Sequence, residues 1–440
     1  MWKSLKRSLG GMHYKLYFAF LVLGLTPTVY TTVRVFFLGS LPGEYAFSIA
    51  GQLSWVNLLY EIINEAMILP LFYFIGKVAE DKQEFANRVK TGMLMALLVY
   101  LVLSAGTIAF AKPLLSLMAA DISIMEESAA YIRIESIANI FWVLVQFALV
   151  ALVTIHKSKY LYAFTLARLS LSLMCDVFLV SSLPISCNLG VNGIGYSNLI
   201  VNAILLNVSL LLLAKEHVNL FEKTKLRFFW VKEFVKVGGI SGLESLVRNA
   251  AYMVMISRMV NVVGEQGTYW VANTFIWGWL LLPVLQLGEL IKQEIAADHG
   301  HIRKNCLGYF GMTAVISVLW FVSIPCWKPF MTSVLQFADV DKLFSLVLLL
   351  VVFYVPYAYQ NVVDSIFYGL GKTHYMLLES VVTNTVYYGG AFVLYLTGMW
   401  TPSLMGIALL FGLGNVFDSI VSFGAFAYLL KKEKIHILGV

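Results

Sequence analysis

The chain has 440 residues, of which 60% are hydrophobic and 13% are charged, and its mean hydropathy is +0.80. Soluble domains carry roughly a quarter charged residues, so this composition excludes a water-soluble protein and is typical of one solvated by lipid. The formal net charge of +6 is spread over short basic runs between apolar stretches. That distribution is typical of membrane topology and argues against a nucleic-acid surface.

Twelve apolar stretches are long enough to span a bilayer, so the predicted fold class is an all-α integral membrane protein with about twelve transmembrane helices. In chain order they are 16–38, 47–76, 92–111, 132–155, 160–183, 192–213, 237–263, 269–291, 307–327, 343–368, 376–396 and 404–430. The basic N-terminus precedes a first stretch that is long enough to span, so we expect an uncleaved helix there. The second stretch exceeds the need of a bilayer and is expected to tilt or extend into water.

Basic residues concentrate in every second connection. They occur at the N-terminus, at 77–90, at 156–159 and most densely at 215–236, whereas the connection at 112–127 is mainly acidic. Because cytoplasmic loops carry the excess of Lys and Arg, this order predicts that both termini and the 215–236 loop are cytoplasmic. The expected location is the cell (inner) membrane, crossed many times.

An internal repeat relates the two halves of the chain. The segment 157–161 (KSKYL) matches 372–376 (KTHYM), and Leu69-Pro70 matches Leu282-Pro283 at a nearly constant offset. The repeat predicts two parallel six-helix lobes related by pseudo-two-fold symmetry, residues 1–214 and 237–440, joined by a basic linker at 215–236, with the substrate path between them. A chance likeness of two basic, tyrosine-containing loops is the alternative.

Ionisable residues inside apolar stretches are costly, so each is expected to face protein or water and to have a partner. They are Arg34, Glu61, Glu65, Arg168, Asp176, Glu244, Arg248, Arg258, Asp364 and Glu379. Glu61 and Glu65 lie one turn apart with Asn64 between them, on one helix face. Two like charges in a low-dielectric setting favour a proton carrier or cation site, and the alternative is the wall of a water-filled vestibule.

Two further groups are candidates on the same grounds. Glu244 and Arg248 are one turn apart, which favours an ion pair within the helix that neutralises a buried arginine. Asp364 forms a polar stripe with Gln360 and Asn361, either as a cavity residue or as a hydrated helix end.

Motifs for catalysis and metal binding are not present in the sequence. It contains no H-E-x-x-H, no G-x-x-x-x-G-K-[ST] and no G-x-S-x-G, its histidines fall in loops or helix ends, and its four cysteines form no C-x-x-C pair. We therefore expect a protein that is not an enzyme and has no cofactor or metal beyond a coupling ion, H⁺ or Na⁺. The expected partners are membrane lipids and a small-molecule substrate, without nucleic acid, and the expected state is a monomer.

Three segments resemble the multidrug and toxin extrusion (MATE) family of the wider MATE/oligosaccharide-flippase superfamily. They are 33–39 (VRVFFLG) at the end of the first helix, 368–373 (YGLGKT), which is similar to the family's R-G-L-G-D-T, and 189–195 (LGVNGIG), which is similar to its L-G-V-x-G-A-A. The resemblance implies a cation-coupled antiporter that exports small amphipathic compounds by rocking two lobes.

The departures from the family pattern concern the cation site. Arg34 stands where many members carry an aspartate, and the helix-five pattern Asn-x-x-x-Asp-Pro is replaced by Ser172, Asp176 and Val177. Asn198 in helix six is placed to supply a further oxygen. The acidic position of helix seven is shifted, with Arg248 near it and Glu244 one turn earlier.

These departures lead to a hypothesis and to a second function. We hypothesise that Arg34 pairs with Asp176, so that a tethered cation replaces the free one of relatives and sodium coupling in the first half is lost. Arginines at 34, 168 and 248 bias the cavity toward anionic or zwitterionic substrates. The alternative function is therefore a flippase or exporter of an anionic lipid-linked or peptide product without classical sodium coupling.

Overall fold

The computed structural model describes residues 2–41, 45–68, 70–155, 159–216, 218 and 226–435, and this part of the chain is almost entirely helical. Helices satisfy every backbone group internally, which lipid requires. The helices are α1 (Trp2–Gly10), α2 (Tyr14–Gly39), α3 (Ala46–Met67), α4 (Leu71–Gly76), α5 (Lys82–Ala109), α6 (Ala111–Leu117), α7 (Met125–Thr154), α8 (Lys159–Leu179), α9 (Asn192–Lys215), α10 (Val231–Tyr252), α11 (Arg258–Val262), α12 (Gln266–Phe275), α13 (Leu282–Ala297), α14 (His301–Ser333), α15 (Val340–Gly369), α16 (His374–Val382), α17 (Gly389–Leu396) and α18 (Leu404–Lys432).

In the part of the chain that the structure describes, three π-helical segments directly follow α-helices. Met253–Ser257 joins α10 to α11, Ile276–Leu280 leads from α12 toward α13, and Thr383–Tyr388 joins α16 to α17. A π-helical turn holds one residue more than an α-helical turn and is often found at functional positions. The stretches predicted at 237–263, 269–291 and 376–396 are therefore helical but not uniform.

Eight helices in the described ranges are long and apolar enough to cross a membrane, and a ninth crossing is available. The eight are α2, α5, α7 with the turn before it, α8, α9, α14, α15 and α18. The ninth is the pair of Gln266–Leu280 and Leu282–Ala297, which is bent by 51°. The protein is thus a multi-pass membrane protein, and the count of twelve crossings stays a prediction.

The second predicted stretch, 47–76, is divided into two helices. α3 ends at Met67, and α4 begins at Leu71 directly after Pro70, whose φ is −70°. Proline lacks the backbone N–H and disfavours helical geometry in the residue before it, so a new helix starts there. Pro283, its counterpart in the repeat, lies further in, within the first turn of α13 and after the bend. Leu69 of the repeat, and residues 156–158 of the basic connection, lie outside the described residues.

Polar residues start several helices at the ends where water is expected. The Asp81 side chain accepts hydrogen bonds from the backbone N–H groups of Gln83 and Glu84 at the start of α5. Asp339 caps α15 through Lys342, and Ser403 caps α18 through Gly406. Such caps satisfy donors that the first helical turn leaves unpaired.

The chain divides into two compact units by its contacts. Unit A comprises Met1–Phe36 and Thr268–Val440, and unit B comprises Phe37–Gly267. This partition differs from the predicted lobes 1–214 and 237–440, which remain a prediction. In the predicted linker 215–236, residues 217 and 219–225 lie outside the described residues.

Within unit B, α3 and α10 approach each other closely because α10 carries glycine at the contact. A Cβ atom on Gly238 would lie 2.0 Å from the backbone oxygen of Ala66, and one on Gly242 would lie 2.8 Å from the Ala66 Cβ. Gly238 and Gly242 are four residues apart, the spacing that lets membrane helices pack backbone to backbone. This contact brings the polar faces of the two helices together.

Candidate functional site

The predicted site residues are divided between the two units. Arg34 on α2 and Asp364 on α15 lie in unit A. The other eight lie in unit B: Glu61, Asn64 and Glu65 on α3, Ser172 and Asp176 on α8, Asn198 on α9, and Glu244 and Arg248 on α10. Three local groups result, one at the α3–α10 contact, one at α7–α9 and one at α15–α18.

At the α3–α10 contact, the two glutamates of α3 share one arginine. Nη2 of Arg248 lies 2.7 Å from Oε1 of Glu65 and 3.9 Å from Oε1 of Glu61. All three side chains are a quarter to a half exposed. The predicted placement of Glu61 and Glu65 on one helix face agrees with this geometry, while their shared cation on α10 was not predicted.

The remaining members of this group are polar neighbours on the same helices. Arg248 also contacts Oγ of Ser245 at 3.5 Å, and Ser245 accepts a hydrogen bond from Asn249. Glu244 is one turn before Arg248 on α10. On α3, the buried Oδ1 of Asn64 has no hydrogen-bond partner among the described residues.

In the second group, buried polar side chains lie on three neighbouring helices. Ser172 and Asp176 on α8 are completely buried. Asn198 on α9 donates a hydrogen bond of 2.6 Å to Oε1 of Glu135 on α7, and Glu135 is itself buried. Glu135 lies inside the predicted stretch 132–155 but was not recognised as a candidate. The sequence feature that could have identified Glu135 is a single carboxylate within an apolar run.

Two arginines of the sequence analysis stack on aromatic rings. The guanidinium carbon of Arg34 lies 4.4 Å from the ring centre of Tyr30, one turn earlier on α2. That of Arg168 on α8 lies 3.6 Å from the ring centre of Trp142 on α7. Aromatic faces stabilise a cation in an apolar environment. Arg34 is in unit A and Asp176 in unit B, and their pairing stays a prediction.

The third group collects carboxyl side chains in unit A. Oδ1 of Asp364 accepts a hydrogen bond from Ser422 on α18 at 3.0 Å. Gln360, one turn earlier on α15, donates through Nε2 to Glu379 on α16 and to Asp418 on α18, the latter at 2.8 Å. We call Asp364, Glu379 and Asp418 the carboxyl cluster. Asp418 was missed in the sequence, although it is an isolated acid within the apolar stretch 404–430.

Comparison with known proteins identifies the fold by structure alone. No protein-family model matches the chain, and no curated protein sequence matches it. A multidrug resistance MATE family transporter of the MOP superfamily, in an inward-facing conformation, superposes with a TM-score of 0.76 at 17% identity, over 92% of this chain and 95% of that chain.

Two further solved structures cover this chain almost completely. An outward-facing conformation of a multidrug resistance MATE family transporter has a TM-score of 0.64 at 16% identity, over 98% of this chain and 97% of that one. A MOP superfamily transporter from Pyrococcus furiosus, described by the reverse polarity of its binding pocket, has a TM-score of 0.69 at 17% identity over the same shares. The chain therefore has the fold of the MATE family transporters of the MOP superfamily.

Proposed function

We propose that the protein is a secondary active exporter of small amphipathic compounds that works by alternating access between two lobes. The observation that supports this most strongly is the likeness, over at least 92% of the chain, to MATE transporters solved in both an inward-facing and an outward-facing conformation. A fold that is stable in two such states is what alternating access requires. The proposed setting is the inner membrane, with both termini cytoplasmic and the protein acting as a monomer.

Transport by this proposal is coupled to H⁺ or Na⁺. If Arg34 does not pair with Asp176, the buried residues Ser172 and Asp176 on α8, with Asn198 on α9, supply oxygen atoms of the kind that hold a hard cation. Carboxylates on α3 and in the carboxyl cluster are the alternative carriers of a proton. Two lobes of six helices, with the substrate path between them, complete the proposal.

A flippase or exporter of an anionic lipid-linked or peptide product is the second candidate. Arg34 and Arg168, each stacked on an aromatic ring, favour this second candidate, since a guanidinium binds phosphate and carboxylate groups through two parallel hydrogen bonds. The transporter from Pyrococcus furiosus, in which the reverse polarity of the binding pocket suggests a different function, is a precedent for such a change within this fold.

Reconstituted protein distinguishes the two candidates. In proteoliposomes, the exporter moves the cationic dye ethidium under an imposed proton or sodium gradient and not without one, and protein-free vesicles provide the control. The flippase instead moves a fluorescent phosphatidylglycerol between leaflets, measured by the fraction that dithionite quenches from outside. Ethidium transport without lipid movement supports the exporter, and the opposite result replaces it with the flippase.

A further inference from the structure

The carboxyl cluster is assembled from three helices by one recurring arrangement. Each helix contributes two polar side chains four residues apart, which places both on the same face. The pairs are Gln360 and Asp364 on α15, Glu379 and Thr383 on α16 and its π-helical continuation, and Asp418 and Ser422 on α18. These three polar helix faces meet in one place and form a polar site within otherwise apolar helices.

The amide of Gln360 occupies the centre of this site. Its Nε2 donates to Glu379 and to Oδ2 of Asp418, and its Oε1 accepts from Ser419 at 3.0 Å. The other oxygen of Asp418 accepts from Thr383 at 2.5 Å. One neutral amide thus faces two carboxyl groups at the same time.

No positive charge within the described residues balances the cluster at ion-pair distance. None of its three carboxyl groups lies within 4.0 Å of a Lys, Arg or His nitrogen in the described ranges. On α13, Nζ of Lys292 lies 2.7 Å from Oε1 of Glu289 and 5.0 Å from the ring centre of Tyr368. From α14, Phe310 stacks on Tyr359 of α15.

A second observation concerns Glu379 alone. This residue is 4% exposed, and its Oε2 has no hydrogen-bond partner among the described residues. A buried carboxylate oxygen without a donor is strongly disfavoured, whereas a carboxylic acid turns the same atom into a donor. Glu379 and Asp418 accept from the same amide nitrogen, so two negative charges there, without an ion-pair partner in the described ranges, are disfavoured as well.

From these observations we propose that the carboxyl cluster is a proton-binding site in which Asp364, Glu379 and Asp418 share at least one proton. Gln360 orients the carboxyl groups of Glu379 and Asp418. Thr383 donates to Asp418, and Ser422 donates to Asp364. The buried Oε2 of Glu379, which has no donor among the described residues, favours a proton as the bound species, since protonation makes that atom a donor. The role of this proton in driving export rests on the proposed function, but its presence does not.

The site has a consequence for the helix that carries Glu379. Thr383, which donates to Asp418, is the first residue of the π-helical segment between α16 and α17. Loss of the shared proton would leave repelling carboxylates on α16 and α18. That repulsion would act directly beside the start of the π-helical segment at Thr383.

Infrared difference spectroscopy tests the proposal without any transport assay. Purified protein in lipid nanodiscs is stepped from acidic to alkaline buffer, and the loss of the C=O stretch of a protonated carboxyl is measured. We expect Glu379→Gln and Asp418→Asn each to remove or diminish this band, and the conservative Glu379→Asp to shift it while retaining it. The control is Asp341→Asn, since Asp341 is 85% exposed and paired with Lys328 outside the cluster.

Two results would overturn the proposal. The first is a band that is unchanged in Glu379→Gln, Asp418→Asn and Asp364→Asn alike. The second is a band that disappears when Na⁺ replaces N-methylglucamine at constant pH, which would make the cluster a sodium site. A band that behaves as expected in protein that moves no ethidium would refute the proposed exporter and leave the proton site standing.

Discussion

Arg248 on α10 forms an ion pair with Glu65 on α3, with Nη2 and Oε1 2.7 Å apart, and keeps a second carboxylate, that of Glu61, at 3.9 Å. Arg248 is 44% exposed and Glu65 is 25% exposed. For partly exposed pairs the contribution to stability is about 0.2–1 kcal/mol. Glu65 is thus the near partner of the Arg248 guanidinium, and Glu61 is its more distant partner.

Removing the arginine is expected to cost more stability than removing either glutamate. Glu65→Gln should lower the free energy of unfolding by less than about 1 kcal/mol, because Glu61 takes over the guanidinium. Arg248→Gln should cost more, since it leaves two carboxylates one turn apart without their cation. Thermal unfolding in detergent measures both, with Glu61→Gln as control, and a smaller loss for Arg248→Gln than for Glu65→Gln would contradict the assignment.

Alanine substitutions along α10 are expected to distinguish its packed face from its open face. Gly238→Ala and Gly242→Ala place a methyl group against Ala66, with Gly238 the more severe because its clash is with a backbone oxygen. Overpacking of this kind costs about 1–3 kcal/mol. At Gly239 an added methyl group would meet no atom within 4 Å, so Gly239→Ala is the matched control and should not destabilise, since alanine favours a helix over glycine. Equal unfolding midpoints for all three variants would refute a close α3–α10 contact.

A buried amide pair connects α3 and α11 and gives a third prediction. Gln52 donates to Asn261 at 2.7 Å, and Asn261 donates back at 3.2 Å and to the backbone oxygen of Met118 at 2.9 Å. Asn261→Leu leaves Gln52 buried without this partner, which should cost about 1–3 kcal/mol.

The double variant Gln52→Leu with Asn261→Leu provides the control for that pair. It removes both amides, so its loss of stability should be smaller than the sum of the two single losses. Strictly additive losses in urea or thermal unfolding would show that the amides do not act as a pair.

The hypothesis that Arg34 pairs with Asp176 is tested by a double-mutant cycle. If they pair, Arg34→Gln and Asp176→Asn should interact by about 0.5–3 kcal/mol in unfolding free energy. The matched control is Arg34→Gln with Glu135→Gln, because Glu135 is also a buried acid but is bonded to Asn198. Additivity in both cycles would reject the pairing.

The sequence located most helices because lipid demands long apolar stretches, and the start of α9 at Asn192 agrees with the predicted start of its stretch. Hydropathy did not reveal where α3 gives way to α4, although Pro70 marks the place. Nor could it reveal the π-helical segments, because one extra residue in a turn leaves the average hydropathy unchanged.

For the candidate site, intervals within a helix were predictable and partners between helices were not. The one-turn spacing of Glu61 and Glu65 follows from helical periodicity. That Arg248 serves both depends on α3 packing against α10, which the glycines of α10 permit but no periodicity encodes. Asp418 and Glu135 each met the criterion of an acid inside an apolar stretch and were overlooked, whereas their partners Gln360 and Asn198 follow only from the packing of the helices.

The π-helical segments also bear on how this chain tolerates changes of length. Deleting one residue from an α-helix turns everything beyond it by about 100° and so moves part of its buried side toward lipid. Within Met253–Ser257, Ile276–Leu280 or Thr383–Tyr388, the same deletion can convert the π-helical turn into an α-helical turn. Both flanking helices then keep the same sides toward lipid and toward protein. Three sites in the second half of the chain can therefore lose a residue at little cost to register, which makes them the natural positions for length variation between homologues.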